Sequence, residues 1–450
     1  MKKIQLSRAV ECDDSWDVIV AGGGPAGCAA AAAAARAGCR TLLIEASGFL
    51  GGMGTGGLIP AWCPFSDREK IIYRGIAQEV FENLKRAMPQ VDPAALSDVP
   101  IDAEKLKLVY DELVAGSGAQ VLFHTQAADV LTEGGAVTAV VTASKAGLRA
   151  HSAKVYIDAT GDGDLAVAAG AESVLGDGSG AASLMPASLC FTLTNVDDFA
   201  YRHGEMLFCS NPNSPIYPIL KSGKYPLIPD FHIYNLPLGP SKIGFNAGHI
   251  FGVDSTDPRS TSDAMALGRR IAMSFRDALA EYAPAAFANA VLSETAPFIG
   301  IREGRRVIGD YVLTVDDYIA RRSFPDDIAR NAYHIDTHNK SAGGGQSPDD
   351  LAQMEANIAR RYKPGESHGI PYRSLTPRGI KNMLVAGRCI SCDQTVFGSV
   401  RVMPVCLVTG EAAGSAAAQL AAAGETDAHA LDVAKLQQTL RRNGAYLPCA

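Results

Sequence analysis

A buried strand, a glycine-rich turn and a helix follow one another in residues 17–45, and this order constrains the fold more than any other feature. Residues 18–21 read Val-Ile-Val-Ala, an apolar run typical of a parallel strand that is buried on both faces. Residues 26–37 are rich in alanine, which favours a helix, and residues 41–44 form a second apolar run. The sequence therefore predicts a parallel strand–helix–strand unit and a fold of the α/β class.

Three glycines in the pattern G-x-G-x-x-G join the first strand to the helix. Gly22 permits a tight turn, Gly24 lets the backbone approach a ligand, and Gly27 lets the helix pack closely on the strand. The helix begins near Pro25 and Ala26, and the N–H groups at its N-terminus can bind a pyrophosphate. The pattern therefore predicts a Rossmann-like dinucleotide site.

An acidic residue ends the second strand, where it can meet the ribose of a bound dinucleotide. The carboxylate of Glu45 can accept hydrogen bonds from ribose hydroxyls, and Ala46 follows it in the same turn. A carboxylate at this point disfavours a 2′-phosphate. The ligand is therefore expected to be FAD or NAD and not NADP.

The pattern G-x-G-x-x-G recurs at residues 52–57, but the context of this second match is wrong. No strand leads into it, and Pro60 and Pro64 interrupt the segment that follows. Its glycines still indicate backbone that lies close to a ligand or adopts positive φ angles. We predict a loop of the first site, and the expected contacts are Gly51, Gly52, Met53, Gly54 and Thr55.

Five segments in fixed order resemble one known family. They are DVIVAGGGPAG, LLIEASGFLGGMGTGGL, YIDATGDGDLAVAAGA, IREGRRVIGDYVLT, and a C-terminal group that contains GIPYRSLTP, NMLVAGRCIS and GSVRVMPVCLVTGEAAGSAAAQL. Together they resemble the bacterial FAD-dependent oxidoreductases, whose flavin domain is related to that of the fumarate reductase and succinate dehydrogenase flavoproteins. The resemblance runs from about residue 17 to about residue 420.

The resemblance implies further contacts to FAD. The loop 51–57 is expected beside the pyrophosphate and ribityl chain, and residues 158–164 near the adenosine half. Residues 386–388 would meet the ribityl chain, and the helix from about Pro404 would point its N-terminus at the flavin pyrimidine ring, where it stabilises negative charge. A small β-meander would bring the backbone of Ala127 to the adenine. The other positions carried over are Ala159, Thr160, Gly161, Asp162, Gly387, Arg388, Arg401 and Val402.

Two departures from related flavoproteins narrow the chemistry. Disulfide reductases carry a redox cysteine pair soon after the second strand, whereas this chain has Met53, Thr55 and a single Cys63 in that region. Succinate dehydrogenases attach their flavin through a histidine in the matching glycine segment, and this segment contains no histidine. We therefore expect non-covalent FAD and no flavin–dithiol chemistry.

The domain organisation is expected to be discontinuous. Residues 15–181 and 365–425 are assigned to the FAD-binding domain with its small β-meander, and residues 426–450 to a helical tail on the surface. Residues 182–364 contain more aromatic residues, prolines and histidines and no phosphate loop, so they are expected to form an inserted α+β substrate domain. Within it, residues 341–350 are expected to form a mobile loop.

Four side chains are candidates for the chemistry. In strand geometry Arg302 and Arg306 share one face, so Arg302 would hold a substrate carboxylate or carbonyl, although pairing among the charged neighbours is the alternative. Tyr372 lies where the chain re-enters the flavin domain, and it would line the cavity or pack at the domain seam. Arg401 would lie beside the flavin pyrimidine ring.

The segment YHIDTHN at residues 333–339 supplies the fourth candidate. Asp336 and His338 share one face of an extended stretch, so the carboxylate would orient the imidazole for proton transfer. A histidine that is hydrogen-bonded within a loop is an equal alternative. His334, Asp336 and His338 offer metal-ligating atoms but no fourth ligand in sequence, so no metal is predicted.

The pair Cys389 and Cys392 forms a CxxC directly after a predicted strand. A redox pair is one interpretation. Because no second CxxC supplies further ligands for a metal or cluster, inert buried thiols are the favoured interpretation.

Composition and spacing limit the function classes. The net charge is −7 and no basic tract occurs, which disfavours nucleic acid as a partner. No apolar run is long enough to predict a membrane span, and the cysteines have no disulfide-framework spacing, so a cytoplasmic location is expected.

The sequence predicts hydride transfer between flavin N5 and a small organic substrate, an alcohol or a C–C bond next to a carbonyl. The alternatives are a non-catalytic flavin-binding redox sensor or partner and an NAD-dependent dehydrogenase with one Rossmann site.

The route of electrons follows from the single nucleotide fingerprint. A flavoenzyme that is fed by NAD(P)H through a two-dinucleotide fold would need a second true fingerprint, and the sequence contains none. The substrate itself, oxygen or a separate electron-carrier protein is therefore expected to exchange electrons with the flavin. The sequence leaves the oligomeric state open.

Overall fold

A five-stranded parallel sheet lies at the centre of the larger core in the computed structural model, which describes residues 7–338, 356 and 360–448. The strands, in chain order, are β1 Cys12–Asp13, β2 Val18–Ala21, β3 Thr41–Ile44, β4 Gln120–Leu122, β5 Gln126–Glu133, β6 Ala136–Ser144, β7 Gly147–His151, β8 Val155–Asp158, β9 Ser173–Leu175, β10 Phe191–Thr194, β11 Ile233–Gly239, β12 Lys242–Ala247, β13 Val291–Thr295, β14 Arg305–Val307, β15 Asp327–Asn331, β16 His368–Pro371 and β17 Met383–Val385.

Helices cover this sheet and the smaller sheets. In chain order they are α1 Pro25–Arg36, α2 Ile76–Ala87, α3 Ala103–Ser117, α4 Asp164–Ala168, α5 Asp198–His203, α6 Ile216–Ser222, α7 Pro258–Tyr282, α8 Pro284–Phe287, α9 Val315–Ile319, α10 Gln394–Val400, α11 Met403–Ala423 and α12 Val433–Arg442.

The central sheet has the order β17-β8-β2-β3-β4, and all of its strand pairs are parallel. β2 and β3 are completely buried, as their apolar sequences require, and α1 connects them. β3 and β4 lie on one side of β2, and the chain then crosses to the other side of β2 to form β8. The strand order therefore reverses between β2 and β8. The predicted α/β class with a Rossmann-like unit is confirmed.

Helix α11 packs directly on α1 because small residues let the two backbones approach. A Cβ on Gly410 would overlap the carbonyl oxygen of Ala26, and one on Gly414 would overlap that of Ala30. By length and composition α11 is also apolar enough to cross a bilayer, but 89% of its apolar window is buried inside the protein. It is therefore a core helix that fixes the N-terminal end of α1.

A four-stranded sheet of order β1-β7-β6-β5 lies beside the central sheet and corresponds to the predicted β-meander. Its hairpin turns at Gly134 and Gly135, whose φ angles are 57° and 79°. Positive φ at both central residues matches the twist of a two-residue hairpin. The hairpin predicted around these glycines is confirmed.

The inserted unit has its own hydrophobic core, which spans Ala187 to Ile301 and not 182–364 as expected. It contains the antiparallel sheet β11-β12-β10-β13 and the long helix α7. The apolar side chains from Val307 to Ile335 instead pack into the first core. The cores thus divide the chain differently from the predicted domains, because composition does not reveal which core an apolar segment joins; the domain bounds themselves stay a prediction. The loop predicted at 341–350 lies outside the described residues.

The C-terminal segment is also part of the first core and not a separate surface tail. Leu436 and Leu440 of α12 are buried there, together with Leu447. The polar face of α12 remains exposed, so the helix is amphipathic and docks along one stripe. The expectation of a surface helix is thus correct for one face only.

A buried carboxyl couples α11 to α2 and predicts a pH-dependent stability. Glu411 Oε2 accepts a hydrogen bond of 2.8 Å from the N–H of Ile76, the first residue of α2. Burial raises the pKa of Glu411 from 4.5 to about 7. The protonated form therefore stabilises the fold fully below pH 4.5, and this contribution is lost as the pH rises through about 7.

We expect the free energy of unfolding of the wild type, relative to Glu411→Gln, to fall by up to about 3 kcal/mol over that pH interval. The glutamine keeps an oxygen that can accept the hydrogen bond from Ile76 N–H, and it cannot ionise. The variant is therefore the control for the wild type. Chemical denaturation of both proteins across the interval measures the difference. Parallel pH profiles for the two proteins would show that Glu411 does not titrate in the fold.

Candidate active site

One cavity of about 910 Å³ begins at the carboxyl ends of the central strands. Its walls include Ala21 and Gly22 after β2, Glu45 after β3, and Ala159 after β8. This is the point where the strand order reverses, and open α/β sheets bind their ligands there. The cavity then continues into the inserted unit, so that both parts of the chain line one space.

Most of the predicted dinucleotide contacts line this cavity. They are Gly22, Gly24, Pro25, Ala26, Glu45, Ala46, Gly52, Met53, Ala127, Ala159, Thr160, Gly161, Asp162, Gly387, Arg388, Arg401 and Val402. The remaining four, which are not among the lining residues, are Gly27, Gly51, Gly54 and Thr55.

These four residues shape the walls instead. A Cβ on Gly27 would overlap the carbonyl oxygen of Gly22, so its glycine allows α1 to approach the turn. Gly51 has a φ of 101°, and Thr55 Oγ1 donates a hydrogen bond of 2.6 Å to Leu50 O. Gly54 faces Leu106 and Met403. These four residues therefore support the cavity wall, and their predicted contact with the cofactor stays a prediction.

The glycine turn fits a pyrophosphate. Gly22 has a φ of 91°, and a Cβ there would lie 2.6 Å from Ala159 O, so only glycine suits the turn. Gly24 faces open space, since a Cβ on it would meet no protein atom nearer than Gly52 Cα at 4.0 Å. The backbone N–H groups of this turn and of the start of α1 can thus be approached closely by an anionic group.

Glu45 holds the turn from the other side. Its Oε2 accepts a hydrogen bond of 2.6 Å from Gly23 N, and its Oε1 accepts one of 2.7 Å from Ser47 N. Each carboxylate oxygen has a further lone pair. Glu45 can therefore stabilise the glycine turn and still accept a hydrogen bond from a ribose hydroxyl.

Arg388 joins two of the predicted cofactor segments. Its Nη2 contacts Asp162 Oδ1 at 2.9 Å, and its Nε donates a hydrogen bond of 3.0 Å to Gly161 O. A third bond runs to Ile301 O, which belongs to the inserted unit. The loop after β8, the segment after β17 and the inserted unit are thereby fixed to one another at the cavity wall.

Arg302 lies at the end of the cavity that the inserted unit forms. Its Nη1 donates hydrogen bonds of 2.8 Å to Pro186 O and to Ser188 Oγ, and its Nη2 donates one of 3.1 Å to Asn246 Oδ1. The residue is 7% exposed, and no carboxylate of the described residues forms an ion pair with it. Burial, followed by the charge of Arg401, lowers the pKa of Arg302 to about 10.

Arg302 does not lie in a strand, contrary to the expected strand geometry, because β14 begins only at Arg305. Glu303 and Arg306 form a buried ion pair of 3.1 Å, and Arg306 also donates to Cys392 O. The alternative interpretation, in which the charged neighbours pair with each other, is therefore correct for Arg306. Arg302 is left facing the cavity.

Arg401 and Asp336 form an ion pair of 3.1 Å on the cavity wall. Tyr333 donates a hydrogen bond of 3.2 Å to the same Asp336 oxygen, and His338 Nε2 lies 3.6 Å from the other. Burial opposes ionisation of Asp336, but His338 and Arg401 hold its pKa well below its usual value. Asp336 and His338 are thus brought together as predicted, but at an ion-pair distance that is too long for a hydrogen bond.

His338 belongs to a cluster of three imidazoles. Its Nδ1 lies 3.0 Å from His249 Nε2, and His249 Nδ1 lies 2.6 Å from Asp230 Oδ2. The ring of His232 stacks on that of His249 with a centroid distance of 4.2 Å. Burial, followed by the charge of Arg302, lowers the pKa of His338 to about 4, so its ring is neutral near pH 7.

A sequence model of one protein family, described as FAD dependent oxidoreductase, matches residues 17–440, which is nearly the whole chain. The chain belongs to the FAD-dependent oxidoreductase family. FAD is therefore the cofactor, which confirms the predicted cofactor and sets aside the NAD-dependent alternative. That this cavity holds the FAD stays a prediction. The finer relation to the fumarate reductase and succinate dehydrogenase flavoproteins stays a prediction.

Several known proteins are similar to parts or all of this flavoenzyme. Thiamine thiazole synthase of Aeropyrum pernix is 34% identical over 126 residues, which cover 28% of this chain and 43% of that protein. The chain thus matches less than half the length of this curated relative.

Among solved structures, a geranylgeranyl bacteriochlorophyll reductase-like protein from Thermoplasma acidophilum is 15% identical with a TM-score of 0.51, over 97% of this chain and 85% of that one. The myxobacterial chondrochloren halogenase CndH is 15% identical with a TM-score of 0.45, over 96% and 79% of the two chains. The similarity to the first structure supports the fold and nothing about the activity. The similarity to the second is too low to support either.

Tyr372 lies away from the active-site cavity of the flavoenzyme, contrary to the expectation that it takes part in the chemistry. Its hydroxyl donates a hydrogen bond of 2.9 Å to Ala428 O, and its ring lines a different cavity, beside Asp310 and His429. The alternative of packing at the seam is what the structure supports. Tyr372 joins the C-terminal segment to the flavin domain.

The two cysteines of the CxxC are buried and free. Burial raises the pKa of both thiols, for Cys392 to about 12. Cys389 Sγ lies 3.6 Å from the carbonyl oxygen of Ala386, a contact typical of a protonated thiol. These environments favour inert thiols, since the thiolate is the reactive form.

Sequence reasoning missed part of the polar end of the cavity. His232, His249, Asp230, Asn246 and Ser188 were not predicted, because each stands alone in the sequence. The pairing of β11 with β12, with Ile233 opposite Ala247, brings Asp230 and His232 towards Asn246 and His249. Ser188 joins them through its hydrogen bond with Arg302. His232 and His249 flank that pair, so only the register of the hairpin could have revealed them.

Proposed function

We propose that this flavoenzyme oxidises or reduces a small organic substrate that carries a carboxylate or a similar anionic oxygen group. The reacting bond is an alcohol C–H or a C–C bond beside a carbonyl. The observation that carries the proposal is Arg302, a buried guanidinium that faces the cavity and has no carboxylate partner among the described residues.

A buried charge without a counter-ion is costly, and proteins rarely retain one without a use. Arg302 donates three N–H groups to Pro186, Ser188 and Asn246, and its two further N–H groups have no partner among the described residues. These three hydrogen-bond acceptors fix the plane of the guanidinium before a substrate binds. An anionic group of the substrate would therefore complete the site and be held in one orientation.

Arg401 is proposed to act on the flavin, whereas Arg302 is proposed to bind the substrate. Its Nη2 is held by Asp336, while its Nε is buried and has no partner among the described residues. Val402 and Met403 begin α11 beside it, and the N-terminus of that helix favours negative charge. Bound FAD supplies the acceptor or donor of a hydride, and Arg401 would favour the form that carries the extra electrons.

The proton of the substrate would pass to or from the imidazole cluster around His338. Neutral imidazoles can accept a proton, and Asp230 and Asp336 would stabilise the charge that then develops. His232 and His338 line the same cavity as Arg302, and, after burial, the charge of Arg302 helps to lower the pKa of both rings, so we expect a small molecule to reach both groups. Electrons would leave through a second substrate, oxygen or a carrier protein.

Anaerobic reduction of the bound flavin tests the proposal. Holoenzyme is mixed with a panel of small hydroxy acids, saturated acids and uncharged alcohols, and photoreduced enzyme is mixed with enoates and keto acids. We expect at least one carboxylate-bearing compound to change the visible flavin absorption faster than buffer does. If no compound does so, the alternative of a non-catalytic flavin-binding protein is favoured. Denatured protein should release its FAD, since we propose that the cofactor is held without a covalent bond.

A further inference from the structure

Three imidazoles converge at the polar end of the cavity. One ring nitrogen of each of His232, His249 and His338 lies within 4.8 Å of one ring nitrogen of the other two. His249 Nε2 and His338 Nδ1 face each other at 3.0 Å. The rings of His232 and His338 lie at 79° to each other, so the three do not form a simple stack.

Carboxylates lie behind two of these rings. Asp230 Oδ2 lies 2.6 Å from His249 Nδ1, and Asp336 Oδ1 lies 3.6 Å from His338 Nε2. Asp230 favours the tautomer of His249 in which Nδ1 carries the hydrogen, whereas Asp336 lies beyond hydrogen-bond distance of His338 and does not fix its tautomer. His249 Nε2 therefore presents a lone pair towards His338 Nδ1, and this lone pair can accept a hydrogen bond from that ring or bind a metal ion.

The position of His232 decides which cation suits the cluster. A proton can bridge two nitrogens, but a third imidazole within reach of the same pair gains nothing from it. A metal ion can bind all three, provided that the ring of His232, which stacks on that of His249 at a centroid distance of 4.2 Å, turns so that its nitrogen points at the ion. His232 Nδ1 is shielded from solvent and has no hydrogen-bond partner among the described residues, so it is available to a ligand.

We propose that His232, His249 and His338 bind a divalent transition-metal ion of the late first row, such as Zn²⁺ or Fe²⁺. Three imidazoles suit these metals, and bonds of about 2.1 Å place tetrahedral ligand nitrogens about 3.4 Å apart, close to the spacing of the His249–His338 pair. Asp230 and Asp336 are the outer carboxylates that orient metal-bound imidazoles. Asp336 also pairs with Arg401.

The fourth coordination position opens to the cavity, because His232 and His338 both line it. A substrate hydroxyl or a water molecule can bind there, and coordination lowers the pKa of either. This extension rests on the proposed function for the location of the substrate: His338 would be a ligand, and the coordinated oxygen would handle the proton. Metal binding and flavin reduction are measured separately, so that either can fail alone.

Metal content is the test. Holoenzyme without a polyhistidine tag is treated with a chelator, dialysed, and titrated with Zn²⁺ by equilibrium dialysis and elemental analysis. Co²⁺ is used in parallel, because its electron paramagnetic resonance is free of any signal from oxidised flavin. We expect one tightly bound equivalent in the wild type and its loss in His232→Gln and His249→Gln.

Two further variants separate a ligand set from a structural role. Asp230→Asn leaves all three imidazoles in place and should weaken binding roughly 10- to 100-fold. His429→Gln removes an exposed histidine that pairs with Asp310 and should bind metal as the wild type does. Flavin content and thermal unfolding show that each variant is folded. The proposal is overturned if the wild type retains no metal after dialysis, or if His232→Gln and His249→Gln bind it as tightly as the wild type.

Discussion

Replacement of Arg302 with methionine is expected to remove most of the substrate-dependent flavin reduction. Truncation of one partner of a buried, hydrogen-bonded charge pair costs about 2–5 kcal/mol, which is roughly a 30- to 5,000-fold loss in kcat/KM. Because the guanidinium binds a part of the substrate that does not react, most of the loss should be a higher KM. Stopped-flow reduction of the anaerobic holoenzyme measures it.

Two comparisons make this result specific. Arg302→Lys keeps the charge but cannot reproduce the planar fork that Ser188 and Asn246 hold in place, so its activity should lie between those of the wild type and Arg302→Met. Arg270→Met removes an exposed arginine from α7 and should change nothing. Unchanged kinetics in Arg302→Met, with normal flavin content, would show that Arg302 does not bind the substrate.

Replacement of Gly24 with alanine is expected to weaken FAD binding without unfolding the protein. The backbone of Gly24 is extended, with a φ of −71°, so alanine can adopt it without strain. The added methyl group would meet protein only at Gly52 Cα, 4.0 Å away, and otherwise projects into the cavity where the pyrophosphate approaches. We expect the Kd for FAD to rise at least about tenfold, equivalent to about 1.4 kcal/mol.

Gly116→Ala is the matched control for Gly24→Ala. Gly116 lies in α3, has open space around its Cα and lines no part of the cavity, so the substitution should stabilise the helix slightly and leave FAD binding unchanged. Flavin fluorescence during titration of the apoprotein gives both Kd values. Equal values for Gly24→Ala and the wild type would mean that the ligand does not approach this turn.

The sequence allowed the nucleotide-binding half of the fold to be predicted because the determining contacts there are local. The strand, turn and helix of residues 18–36 are adjacent in the chain, and each glycine has a requirement that can be stated residue by residue. Gly27 and Gly51 show the limit of that reasoning. Both belong to the patterns that were identified, yet they support the cavity wall from behind it.

The polar end of the cavity could not be predicted in the same way. His232 and His249 meet His338 through the register of a hairpin and the packing of one core on another. Tyr372 shows the converse, since a position at the domain junction suggested the site but the side chain turns to the C-terminal segment. Long-range packing decides such cases, and a single sequence carries no local signal for it.

The proposed function depends above all on an anionic substrate that Arg302 holds. The most direct measurement compares one active carboxylic acid with its methyl ester in anaerobic flavin reduction by the wild-type holoenzyme. We expect the acid to change the flavin absorption and the ester to react at least roughly 30-fold more slowly. Equal rates for acid and ester, or no flavin response to any acid of the panel, would contradict it.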